Sequence, residues 1–341
     1  MLTREFVQAL PKAELHLHLE GAVPWAMVRA HSTDGLPASP PWWADGFRFD
    51  DFMQFRGAVQ TCMGCLVDAR AYGAVAGAVF LDLRAQNARY VEISFDIVRV
   101  LDRHLEIADV VGAMKAAVPP GVVGRVFAAF SQHKPDRTPP DVVETVLAAP
   151  GLDGISLHGD ETVQSTVCFA DAFAEARRRG LLTKAHAGEL MGPGSVVKVL
   201  DLLGVRRIEH GVRAIEDAAL VERLAAEGVT LDVCPWSNVR LRVVRDLAAH
   251  PIRRLHERGV RLTVNTDDPT VFGRTLSQEI VSLVDDLGFS PSEVARLQAN
   301  AFAVAAMPAA ARDAALGEIE ALARGDRPRE GVESSSRGGQ V

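Results

Sequence analysis

Cysteine is scarce in this chain: four residues among 341, too few for a disulfide framework at this length. A reducing, cytoplasmic setting is the expectation. Cys62 and Cys65 form a CxxC without a second pair nearby, in a stretch that reads as helix, so packing rather than metal or redox chemistry is expected of them. A basic surplus is missing too. Lys and Arg number 37 against 44 Asp and Glu, a net charge of −7, and no block of like charge interrupts the chain. That balance argues against nucleic-acid binding, which leaves a basic footprint. Long apolar runs are also absent: AYGAVAGAVFL is too short to span a bilayer. The opening MLTREFVQALPKAELHLHLEG has no apolar h-region and carries Glu5, so neither a signal peptide nor a membrane partner is expected. The remaining partner is a small molecule, and 48% hydrophobic residues supply a large core.

What the chain does have is a rhythm. Short β-rich runs occur at Glu14–Leu19, Tyr90–Phe95, Arg125–Phe130, Gly154–Leu157, Thr183–His186, Arg207–His210, Thr230–Val233 and Arg261–Asn265. Between most of them lie stretches of helical period, such as Val167–Arg179 and Ala218–Ala226. This alternation predicts parallel β/α units, and eight strands predict a single closed (β/α)8 TIM barrel over residues 1–323, with a doubly wound open sheet as the second choice. Two segments break the rhythm. Residues 31–51, with clustered prolines and Trp42–Trp43, read either as a lid-like insertion reaching to about residue 55 or as a surface excursion packed on the barrel exterior. The tail, 324–341, is polar and glycine-rich and reads as disordered.

The reactive side chains fall at strand ends. His16 and His18 sit two apart on the first strand, so both imidazoles point to one side. His186 ends the fifth strand, His210 ends the sixth, and Asp267 with Asp268 follow the eighth. In a barrel such ends meet at the C-terminal mouth. Singly, each piece reads as an ordinary core or turn residue; their shared placement does not. Three histidines and an aspartate suit a divalent ion that binds water and lowers its pKa; zinc fits the donors, and iron, manganese and nickel stay open. Glu189, three residues after His186, is placed to move a proton.

In sum these motifs resemble the adenosine deaminase family of metal-dependent hydrolases. The pieces are LPKAELHLHLEGAV at the start, SLHGDE at 156–161, KAHAGE at 184–189, RIEHGV at 207–212, CPWSN at 234–238 and TVNTDDPTVFG at 263–273, in the family's order over roughly residues 8–320. The resemblance implies hydrolytic loss of the 6-amino group from an adenine-type purine. It implies one zinc ion held by His16, His18, His186 and Asp267, with Glu189 protonating ring N1. It assigns His210 to the attacking water, Asp268 to the water or the N7 side, and the Gly159 N–H to ring N3. Phe49, Phe52 and Met53 are candidates for an apolar wall over the base, against a plain role in helix core.

Several positions depart from the adenosine-specific pattern. Glu20 stands where an aspartate meets the ribose, Ser156 and His158 replace Asp and Ala, Glu209 replaces a glycine, and Trp236 replaces a smaller residue. The LEG turn is more usual in relatives acting on adenine or aminofutalosine, whereas GDE at 159–161 looks nucleoside-like. Adenosine or a modified adenosine is the expected substrate, with adenine and aminofutalosine as alternatives. Two other readings stand beside this one. A dinuclear barrel acting on another bond is disfavoured because no lysine ends the fourth strand. A non-catalytic binding protein is disfavoured by the intact donor set.

Overall fold

Eight parallel strands form, seven of them at the predicted positions to within a few residues, and they pair in chain order. In the computed structural model, which describes residues 4–33, 35–163 and 165–325, they are β1 (Lys12–Glu14), β2 (Ala88–Asp96), β3 (Val123–Ser131), β4 (Gly154–His158), β5 (Leu182–Ala187), β6 (Arg207–His210), β7 (Thr230–Val233) and β8 (Arg261–Val264). The seam between β8 and β1 is closed at the top by a parallel bridge between Leu17 and Asp267. The sheet is therefore a barrel and not an open, doubly wound sheet. Helices follow the strands and cover the outside, as at Ala170–Arg178 and Ala218–Ala226. The tail expected from Arg324 lies outside the described residues from position 326 onward.

The first strand departs from expectation: it ends at Glu14, before the two histidines. Beyond it the chain pairs alternately to either side. His18 N donates to Asp267 O (2.9 Å) and Leu19 N to Ser94 O (2.9 Å), so no continuous ladder forms. Leu15 N donates to the side chain of Asn265 (2.9 Å). The histidine pair is thus strung across the mouth between the ends of β8 and β2.

Segment 31–51 is strapped to the loops after β7 and β8. Trp43 Nε1 donates to Thr270 O (2.6 Å), and Phe49 N donates to Arg240 O (2.9 Å). The tryptophan pair packs on Trp25, away from the mouth cavity. Gly273, at φ +66°, makes room for it: a Cβ there would lie 2.7 Å from Trp43 Cδ1. Asp51 then caps the helix Phe52–Cys62 by accepting from Gln54 N (2.8 Å), which fixes where that helix starts beside the mouth. Cys62 and Cys65 end this segment as free thiols, and burial pushes Cys62 up to about 12, in keeping with a packing role. Among the described residues no single helix is long and apolar enough to cross a membrane; only the pair Phe52–Cys65 and Ala69–Ala85, bent by 109°, passes on length and composition when joined.

Candidate active site

The far-separated histidines and aspartates meet at the C-terminal mouth. His18 Nε2 lies 3.1 Å from His186 Nε2, and His16 Nε2 lies 3.2 Å from the same atom. Asp267 Oδ1 stands 3.4 Å from both His16 Nε2 and His18 Nε2. One donor atom from each of His16, His186, His210 and Asp267 falls within 4.8 Å of the others, and so does a set from His16, His18, His186 and Glu209. His210 and Asp267 reach this point through left-handed backbone, φ 67° and 62°. For residues other than glycine that conformation costs of order 1–3 kcal/mol, a strain typical of functional positions.

The donor chemistry fits a divalent cation. His16 Nδ1 faces the Asp232 carbonyl (3.1 Å) and His186 Nδ1 faces the Leu157 carbonyl (3.1 Å), so both nitrogens carry hydrogen and both Nε2 lone pairs turn inward. Lone pairs 3.2 Å apart repel unless something positive joins them. A proton can serve one such contact; three imidazoles and a carboxylate around one point suit a metal ion better. Beneath them runs a buried charge chain. Lys184 pairs with Glu209 (3.1 Å), Arg207 with Glu92 (2.6 Å) and Asp232 (2.7 Å), and Glu209 Oε2 meets His186 Nδ1 (3.0 Å). Burial lowers the proton affinity of His186, but the Glu209 carboxylate outweighs it and pushes the imidazole up to about 9. A metal ion bound there would release a proton.

On one side of the cluster stand Glu189 and His210. Glu189 Oε2 is 3.4 Å from His210 Nε2, and its other oxygen accepts from Asn238 Nδ2 (3.0 Å). Burial, then the neighbouring Asp267 charge, pushes Glu189 well above the usual carboxylate range. That shift favours the protonated carboxyl. Burial pulls His210 and His18 well below the usual imidazole range, keeping them neutral. Asp267 is drawn up by burial, but its hydrogen bond with His16, and then the imidazoles of His16, His210 and His18 packed around it, hold it well below its usual range. Asp268 goes the other way, raised by burial and by Asp267.

These groups line a cavity of about 280 Å³. Glu20, Gly159, Asp268 and Phe52 all face it, as expected from the sequence. Glu20 is only 4% exposed; burial and then Asp96 push it up to about 8, and it accepts from Asp96 N (2.9 Å). Two wall candidates need correction. Met53 is 65% exposed and does not line the cavity, and Phe49 is buried against Phe55 and Phe272 behind it. The wall is Phe52, Phe55, Val59 and Met63, one stripe of the helix and the turn that continues it. Period-3.6 spacing within that segment carries the signal for them. Asp96, Arg99, His133 and His158 also line the cavity. Of these only His158 stands out in the sequence, as a departure from the usual alanine. Asn238, behind Glu189, lies in the CPWSN motif, but nothing in its spacing announces which groups it touches.

Comparison with known proteins follows the same line. Residues 11–322 match the family model described as adenosine deaminase. The chain is 37% identical over 308 residues to the adenine deaminase of Rhodospirillum rubrum, covering 87% of this chain and 92% of that protein. Against the adenine deaminase of Streptomyces coelicolor it is 37% identical over 306 residues, 86% of this chain and 89% of the other. The crystal structure of adenine deaminase from Arthrobacter aurescens superposes with a TM-score of 0.85 at 31% identity, covering 92% of this chain and 99% of that one. These relatives lend no support to adenosine as the main substrate.

Proposed function

From the premise that this chain belongs to the adenosine deaminase family, as a metal-dependent purine deaminase, we propose that it carries one zinc ion and that its substrate is free adenine, released as the 6-oxopurine and ammonia. The observation that carries this reading is the meeting of Glu189 and His210 within one cavity beside His18, His186 and Asp267, with His16 directly behind them.

His16, His18, His186 and Asp267 would hold the ion. When bound, zinc supplies Lewis acidity, bringing the pKa of a water toward about 7. The chain's own groups do the rest. Glu189, protonated through its burial, donates to ring N1 and makes C6 electrophilic without leaving an anionic ring. His210, whose Nε2 lies between Glu189 and Asp267, orients the incoming water and steadies the charge that develops on its oxygen. Asp268 hydrogen-bonds that water or, through its own carboxyl proton, ring N7, and the N–H of Gly159, in a turn at φ +94°, meets ring N3. Phe52, Phe55 and Met63 cover the ring and exclude bulk water, which strengthens each polar contact.

Adenine is favoured over adenosine by the relatives' activity and by Glu20. Its longer acid stands where the resemblance puts a ribose-binding aspartate, and it is tied back to Asp96 N. An ultraviolet deamination screen across adenine, adenosine, 2′-deoxyadenosine and aminofutalosine tests the reading. Adenine is expected to exceed the nucleosides in kcat/KM by about 100-fold or more, in line with sites whose polar groups must all be matched. A nucleoside turned over faster than adenine overturns the substrate assignment and leaves the reaction class intact.

A further inference from the structure

The groups around Glu189 and His210 lead back to a histidine that never reaches the cavity. His250 is 4% exposed and lies before the helix Ile252–Glu257, on the far side of Asn238 from the reacting groups. Its Nδ1 receives the backbone N–H of Ile252 (3.1 Å), and an amide N–H can only donate. Nδ1 is therefore the bare nitrogen. Burial holds this imidazole neutral, with a pKa near 3, so Nε2 must carry the single hydrogen. That hydrogen points at Asn238, 3.1 Å away, and the atom facing it must be the amide oxygen. The orientation of the Asn238 amide, ambiguous by shape alone, is thereby settled by a backbone hydrogen two links away.

With Oδ1 turned to His250, Asn238 presents its NH₂ to the site, where its two hydrogens find two acceptors. One is Glu189 Oε1 (3.0 Å), the other His210 Nδ1 (3.3 Å). The first contact fixes which way the Glu189 carboxyl faces. The second makes His210 Nδ1 an acceptor, so its hydrogen lies on Nε2, the atom beside Glu189 and Asp267. Asn238 is fully buried, and a flipped amide would set Oδ1 against Glu189 and leave two groups without a donor.

We propose that His250 is a positioning residue for the reaction: acting only through Asn238, it fixes the orientation of Glu189 and the tautomer of His210. The inference rests on the roles given above to Glu189 and His210. It touches neither the substrate nor the proposed metal ligands, and it needs no change in the protonation of any group during turnover.

The test is a double-mutant cycle on the full chain, with adenine as substrate and zinc content measured on each variant. His250→Phe removes the donor to Asn238 and is expected to lower kcat about 10–100-fold, the scale of a misplaced reacting group, with KM and zinc content unchanged. His250→Gln keeps an N–H able to reach Asn238 and should restore kcat to within a few-fold of wild type. Asn238→Ala should lower kcat by a similar factor, and the His250→Phe/Asn238→Ala double variant should be no slower than Asn238→Ala alone. Because the cycle compares rates per folded, zinc-loaded chain, a loss of stability in His250→Phe does not mimic the result. Additive losses in the double variant, or His250→Phe at wild-type kcat, overturns the proposal. A wild-type enzyme that leaves adenine untouched overturns instead the function on which it rests.

Discussion

Adding a single methyl group at Gly21 should disable the site without touching any proposed ligand. A Cβ built there would lie 1.8 Å from Asp268 Oδ1 and 2.4 Å from both its Cβ and Cγ. Carbon contacts are comfortable at about 3.5–4.0 Å, so one partner must move by roughly 1 Å or more. Neither has room. The Gly21 carbonyl accepts from Thr270 N (2.9 Å) and Val271 N (3.3 Å), tying it to the same loop that carries Asp268, and Asp268 itself is only 4% exposed. Gly21 is not among the glycines with positive φ, so alanine meets a clash and not backbone strain. A displacement of about 1 Å at a reacting group can lower the rate about 100-fold, or about 2.7 kcal/mol of transition-state stabilisation. Overpacking should also destabilise the fold by about 1–3 kcal/mol. Gly21→Ala is therefore expected to fold, keep about one zinc per chain and lose about 100-fold in kcat/KM for adenine, read by the fall in adenine absorbance alongside elemental analysis. A Gly21→Ala enzyme with wild-type kcat/KM would refute the assignment of Asp268 to the reaction.

Three further outcomes follow from the same geometry. Glu189→Gln should retain zinc and lose about 10²–10⁴ in kcat, because the proton at N1 is gone; turnover at the wild-type rate removes Glu189 from its role. Glu209→Gln, which weakens the acceptor held 3.0 Å from His186 Nδ1, should raise the zinc dissociation constant about 10–100-fold in chelator competition, and an unchanged constant would show that the contact does not tune the site. His250 gives a pH dependence of stability. Its folded pKa near 3 lies below the usual 6.5, so between these values the unfolded chain binds more protons and stability is lost as pH falls. Between pH 6.5 and pH 5 the loss is about 1.6 kcal/mol, and urea unfolding of His250→Gln should lack that component; parallel curves for the two proteins would contradict it.

How much of this was legible in the sequence depends on where each interaction comes from. Strands β6 and β7 match the expected bounds because glycines punctuate these short runs: Gly204 stands before and Gly211 directly after β6, and Gly228 stands before β7. The proposed ligands were legible for a related reason: a barrel delivers every strand end to one mouth, so position along a strand substitutes for distance in space. The first strand was misjudged because alternation continues through His18, while the backbone there has already split its pairing between Ser94 and Asp267. Met53, in the first turn of the helix, and Met63, in the turn that continues it, differ in which side they present, and that side is chosen by packing against Phe272 and the mouth. The chain from Ile252 through His250 and Asn238 to Glu189 was invisible for a different reason. Its links are single hydrogen bonds spanning 2, 12 and 49 residues of sequence, and no periodicity marks them.

The central claim is that one divalent ion, held by His16, His18, His186 and Asp267, equips this cavity to deaminate adenine. Chelator-stripped protein titrated with zinc, while ammonia release from adenine is followed, tests it most directly. Activity should rise linearly from near zero and break at one zinc per chain. Full activity in the stripped protein, or a break at two zinc ions, contradicts it.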